Sequence, residues 1–309
     1  MYNKANIARQ CLKVSKFEYL SRYDDSMATT FLYGESALEN YSENQYDEEV
    51  TPYFQPQSDI LKNRIVASQS LFRWTFEELG HKDRNINPEL ARMASGASRM
   101  VYQVCLAISR WRKGGKEIMP VLIYLPPNEL FKEDIDEFVV KCVTEFQLEP
   151  QILTLVVDIA SFMIATDIAK LQVQKLSDIG VKIAVDGYIY GDGRMALLEG
   201  LPIDYVKIPR ELTSGVERHA DRNEYLVEFQ RGIFKLGMKP IYEGIDETAQ
   251  MNAIGALGGI LVEGRYAGRP IAGDDFGRVL KEFVQKQRII GDNTVILDQE
   301  ELQRGDYHV

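Results

Sequence analysis

From Tyr53 onward, short apolar runs alternate with helix-patterned segments, and that alternation leaves few folds open. The runs are YFQPQ (53–57), RIVASQSLF (64–72), PVLIYLP (120–126), ILTLVVDI (152–159), KIAVDGY (182–188), YVKI (205–208), KPIYEGI (239–245) and GILVEGRY (259–266). Most are rich in Val, Ile and Leu without a period of two, which is how strands read when both faces are covered. Between them, residues 88–111, 128–146, 167–180 and 223–237 carry helical spacing, with Gly180 and Gly237 placed as C-terminal caps. Eight strands with helical crossovers predict a (β/α)8 barrel, an α/β fold of TIM type. In such a barrel functional residues gather where strands end and loops begin. With 45% apolar residues, 309 positions suffice for one core of this size.

The two flanks depart from this pattern. Residues 1–50 open with an amphipathic stretch from Asn3 to Arg22, with Ile7, Cys11, Val14 and Leu20 at helical spacing and Lys4, Arg9, Lys13 and Lys16 beside them. A polar linker follows, ending in Asp47, Glu48 and Glu49. A helix with one apolar stripe must bury it, either on the chain's own barrel or on a partner. Residues 288–309 offer one more strand, Thr294 to Leu297, and a polar end. The expected organisation is a helix with an acidic linker over 1–50, a barrel over 51–287, and a strand with a tail over 288–309.

Charge and cysteine usage exclude several functions. A net charge of −10 argues against a general electrostatic grip on a nucleic-acid polymer or an anionic membrane. Cys11, Cys105 and Cys142 are odd in number and widely spaced, so they suggest neither a disulfide framework nor a CxxC clamp. His81, His219 and His308 are too scattered for a metal cluster or a triad. No apolar run reaches the roughly 18 residues of a membrane span, and the start lacks a signal-peptide pattern. A cytoplasmic protein is expected.

Several short motifs then fall in a recognisable order. YFQPQSDILKNRIVASQSLFRW comes first, KIAVDGYIYGDGRMALLEGLPIDYVKIP (182–209) next, then YEGIDETAQ and VEGRYAGRP. Together they resemble the EAL family, bacterial domains that hydrolyse cyclic di-GMP. The family's segments read YQP and EALLRW; DDFGTGYSSL, LPID and LKID; AEGVET; and QGYxFxxP. The resemblance covers roughly Tyr53 to Lys286 and implies a barrel of EAL type. It also implies a chemistry in which two cations activate a water and stabilise the charge developing on a phosphodiester. Such cations need convergent oxygen ligands from strand ends, mostly carboxylates.

Carried over position by position, that ligand set is broken. The glutamate of EAL falls on Gln69, the asparagine of the next strand on Tyr124, and the glutamate after it on Asp158. The paired aspartates fall on Asp186 and Gly187, the aspartate of KID on Pro209, and the glutamine of QGY on Glu263; Lys207 and Glu243 are kept. An amide, a phenol protonated near its reference pKa of about 10, a glycine and a proline make poor ligands for a dication. Asp192 would replace the missing aspartate only along a different loop path. The resemblance therefore implies a degenerate member: no bound metal, no cofactor, no catalytic residues and no enzymatic activity.

Two roles remain open for such a barrel. One is a non-catalytic regulatory signalling protein acting through an unidentified protein partner. The other is a metal-independent receptor for cyclic di-GMP, with Leu71, Arg73, Lys207, Glu243, Glu263 and Pro270 as its candidate ligand-binding residues. Arg73 holds the place of a family arginine that faces a ligand phosphate, and a guanidinium suits a bidentate grip there. Against the receptor stand Asp158, Asp186, Glu243 and Glu263, four carboxylates facing a dianionic ligand with no dication between them. Residual hydrolysis is the third and least favoured reading.

Overall fold

The computed structural model describes residues 50–74, 97–116, 118–132, 134–187, 195–218 and 220–280. The chain divides into two compact units, and the barrel falls in the one made of Thr51–Phe72 and Ala97–Val309. The helix expected near the start, its acidic linker and the strand and tail over 288–309 lie outside the described residues.

All eight expected runs form strands. They are β1 (Val50–Asp59), β2 (Arg64–Trp74), β3 (Val121–Leu125), β4 (Leu153–Asp158), β5 (Lys182–Asp186), β6 (Tyr205–Ile208), β7 (Lys239–Tyr242) and β8 (Leu261–Glu263). A short β9 (Ile271–Ala272) follows. Neighbours run in the order β2 to β8 and then β1, which also pairs with β2 and closes the ring. Every pairing from β2 through β8 is parallel.

The first strand departs from the expected pattern of crossovers. β1 runs antiparallel to β8, with Gln57 opposite Glu263, and antiparallel to β9 at Tyr53 and Phe54. Its connection explains the reversal. Only residues 60–63 separate β1 from β2, whereas a parallel crossover needs about a dozen. Asp59 secures the turn by accepting the N–H groups of Leu61 and Lys62 at 3.0 Å each. Asn63 completes it at φ 45°, a left-handed conformation asparagine tolerates.

Helices cover the outside of the ring. The described ones include α1 (Ala97–Lys113), α2 (Pro127–Leu130), α3 (Ile135–Glu145), α4 (Ile159–Ile164) and α5 (Thr166–Ile179). They continue with α6 (Met195–Leu198), α7 (Arg210–Thr213), α8 (Ala220–Lys235) and α9 (Thr248–Ala256). The helical pattern over 128–146 thus resolves into α2 and α3, and Gly180 caps α5 at φ 101° as its position suggested. Among the described residues no helix is long and apolar enough to cross a membrane.

Alternation along the strands sorts two cores. Val121, Ile123, Leu125, Leu155, Val157, Ile183, Val185, Val206 and Ile208 belong to the large cluster shared with the helices. Leu122, Val156, Ala184 and Ile241 form a small separate cluster, with Ala67, Tyr124, Tyr205 and Leu261 against it. Both faces of each strand are therefore buried, the physical reason the runs lack a period of two. Where β1 meets β9, Phe54 packs edge-on to Trp111 at 4.7 Å and stacks on Phe276 at 5.4 Å. The Trp111 indole donates to the Gly273 carbonyl at 2.8 Å.

Candidate functional site at the barrel mouth

Side chains two residues apart on a strand share a face. One step beyond the inner apolar set, Ala67 leads to Gln69, Leu122 to Tyr124, Val156 to Asp158 and Ala184 to Asp186. Likewise Tyr205 leads to Lys207, Ile241 to Glu243 and Leu261 to Glu263. The inward parity that fills the barrel with apolar side chains thus sets a polar ring directly above them. Asp158, Asp186, Lys207, Glu243 and Glu263 gather at one mouth, as the sequence predicts.

Lys207 is the centre of this ring. Its ammonium lies 2.6 Å from Glu243 Oε1, 3.5 Å from Glu263 Oε2 and 3.2 Å from Gln69 Oε1, with only 5% of the side chain exposed. Burial opposes the charge, but the carboxylates of Glu243, Glu263 and Asp186, with the Glu243 hydrogen bond, outweigh it and hold the lysine above its ordinary range. Burial pushes Glu243 up to about 7, against the pull of Lys207. Gln57, which sequence reasoning missed, donates to Glu263 Oε2 at 2.7 Å from the opposite side of the β1–β8 pair.

The other side of the ring is held differently. Asp158 caps α4 by accepting the Ala160 N–H at 2.8 Å through Oδ1 and takes the Tyr124 hydroxyl at 3.3 Å through Oδ2. Asp186 stands opposite Asp158 in the β4–β5 register and accepts the Gly187 N–H at 2.5 Å. Gly187 adopts φ 74°, and a Cβ there would lie 3.3 Å from Asp158 Oδ1. Pro209 is buried at the N-cap of α7 and offers no oxygen beyond its backbone. Among the described residues no group of three or more His, Cys, Asp and Glu is arranged to hold a metal ion.

The remaining candidates scatter. Leu71 is half-buried in β2, and Pro270 is exposed between β8 and β9. Arg73 is in β2, but its side chain lies outside the described residues, as does all of Asp192.

A second charged cluster at the rim went unpredicted. Asp246, after β7, pairs with Arg210 at the start of α7 and with Arg265 just after β8. Arg265 also donates its backbone N–H to Asp246 at 3.0 Å. Burial would raise the Asp246 carboxyl, yet the Arg265 hydrogen bonds and the charges of both arginines hold it below its usual range. Gln55, Arg210, Gly244, Asp246, Glu263, Gly264 and Arg265 line a cavity of about 520 Å³. The available signal was Arg265 itself, standing where QGYxFxxP has its tyrosine.

Comparison with known proteins agrees with this architecture. The EAL domain family matches residues 38–270. The signaling protein YkoW of Bacillus subtilis is 21% identical over 91% of this chain and 36% of its own length. The probable cyclic di-GMP phosphodiesterase PdeN of Escherichia coli is 24% identical over 74% of this chain and 45% of its own. The chain thus spans less than half of either relative. The EAL enzyme Bd1971, solved with cAMP and cyclic di-GMP bound, superposes with a TM-score of 0.70 at 16% identity, covering 83% of this chain and 70% of that one.

Proposed function

This chain belongs to the EAL family, and we propose that within cyclic di-GMP signalling it is a non-catalytic regulatory protein that acts through contacts with a protein partner. The observation that carries the reading is the broken ligand set, with Gln69, Tyr124, Gly187 and Pro209 standing at four of the family's ligand positions. Lys207 is a residue the family keeps, and here it engages Glu243, Glu263 and Gln69. The family's two metals do not fit these residues, since an amide, a phenol, a glycine and a proline replace the mostly carboxylate donors that would hold them. Asp158 is committed to a helix cap and a phenol, Gly187 brings no carboxylate, and Pro209 replaces another.

The direct test is hydrolysis. Purified protein incubated with cyclic di-GMP and magnesium or manganese is expected to release no product above blank. Turnover on the order of 0.1 per second, about a hundredth of a typical enzyme rate, would overturn the reading.

The receptor reading is the alternative, favoured by one observation: exposed guanidiniums remain at the rim of the mouth. Bd1971 was solved with cyclic di-GMP bound, and this chain shares its fold. Calorimetric titration separates the two. We expect a dissociation constant no tighter than about 10 μM, roughly −7 kcal/mol. A submicromolar value would make the receptor the better account.

A further inference from the structure

Arg210 at the start of α7 and Arg265 just after β8 reach the same carboxylate, and both are widely exposed, at 62% and 59% of their side chains. Lys207, Glu263 and Glu243 are only 5%, 11% and 23% exposed. A group entering the cavity therefore meets the guanidiniums first, while the inner acids face Lys207 and Gln57. The cavity lining carries two arginines and two acids, Asp246 between the guanidiniums and Glu263 turned to Lys207 and Gln57. Each arginine uses Nη2 on Asp246, and a guanidinium carries five N–H donors, so both retain donors for a second acceptor.

The pair is also held in place. Gly244 takes φ 69°, and a Cβ there would collide with the stem of Arg210. The bare backbone is what lets that stem lie across it, so less freedom is lost when a ligand binds. Gly264 is equally constrained, since a Cβ would strike the Ile245 backbone. At about 520 Å³ the cavity falls in the size range of small-molecule sites. Two guanidiniums side by side match the several oxygens of a phosphate better than the two of a carboxylate.

We propose that Arg210 and Arg265, held by Asp246, form a metal-independent site for the phosphate group of a small organic ligand. The site shares only Glu263 with the candidate set based on Arg73, and it does not depend on whether the mouth hydrolyses anything. The test is calorimetric titration of the full chain at low salt with 5′-GMP and with inorganic phosphate. 5′-GMP is expected to bind with a dissociation constant below about 1 mM, at least tenfold tighter than inorganic phosphate, and to weaken with added salt. Arg210→Gln combined with Arg265→Gln should weaken 5′-GMP at least tenfold, whereas Lys141→Gln, which removes a positive charge from the exposed face of α3, should change it less than twofold. Should the double variant fail to fold, Arg265→Lys serves instead. It keeps the charge but loses the fork, and should bind at least threefold more weakly. No 5′-GMP binding to the native chain, undiminished binding to the arginine variants, or equal binding of 5′-GMP and inorganic phosphate overturns the proposal. The hydrolysis assay above is read independently of all these outcomes.

Discussion

A buried ammonium between two acids makes Lys207 the residue on which the mouth depends. Replacing it with Met leaves Glu243 and Glu263 in a desolvated site without a counter-charge. Breaking a buried pair in this way typically destabilises by about 3–5 kcal/mol, so the urea midpoint of Lys207→Met should fall well below that of the native chain at pH 8. Adding Glu243→Gln removes one stranded charge and should recover part of the loss; equal midpoints for the single and double variants would contradict the pairing. Gly187 gives a second prediction. Restoring the family aspartate places an L side chain at φ 74° beside Asp158, with backbone strain of about 1–2 kcal/mol and carboxylate repulsion added. Gly187→Asp should melt at a lower temperature than Gly187→Asn and gain no hydrolytic activity. The ring itself was legible from the chain, since each member lies within or at the end of an apolar run at a family position. Gln57 was not, because its partner Glu263 lies 206 residues away and no local pattern encodes that pairing.

The loops that follow β6, β7 and β8 are joined through one carboxylate. Asp246 has its pKa lowered on folding, so its contribution to stability is present above the ordinary carboxylate range and is lost as pH falls through the folded value. Asp246→Asn should therefore lose stability at neutral pH and flatten the acid limb of the stability curve below roughly pH 4. A limb as steep as the native one would contradict this. At the opposite seam, Trp111 links α1 to the helical segment after β9. Trp111→Phe removes the hydrogen bond to the Gly273 carbonyl, about 1 kcal/mol, while Trp111→Ala also empties the aromatic cluster, about 3–5 kcal/mol; chemical denaturation should rank them in that order. Strand positions were readable here, and strand direction nearly so. The interval between the first two runs is too short for a crossover, but an apolar run carries no arrow, and the reversal of β1 emerges only from its turn. The rim arginines were missed because a lone arginine in a loop reads as solvated surface until its carboxylate is placed beside it.

At the scale of the whole chain, the ring needs nothing before Val50 to complete its strand order. Removing residues 1–48 should leave a product that still unfolds cooperatively. Insolubility of that product would show that the amphipathic stretch expected at 3–22 covers the barrel. The net charge of −10 is spread through the sequence and was legible at once, yet it says nothing of the two guanidiniums paired at the rim. The reversed first strand has a consequence for synthesis. Its hairpin with β2 leaves the ribosome well before β8 and β9, which complete its other edge. At about 5–20 residues per second, 206 residues take roughly 10–40 s to translate. Throughout that interval the edge is an open template for pairing with a neighbouring nascent chain. Messages truncated before residue 261 should therefore yield aggregates rather than partial barrels, and a polysome bearing many such chains is where cellular chaperones would be needed most.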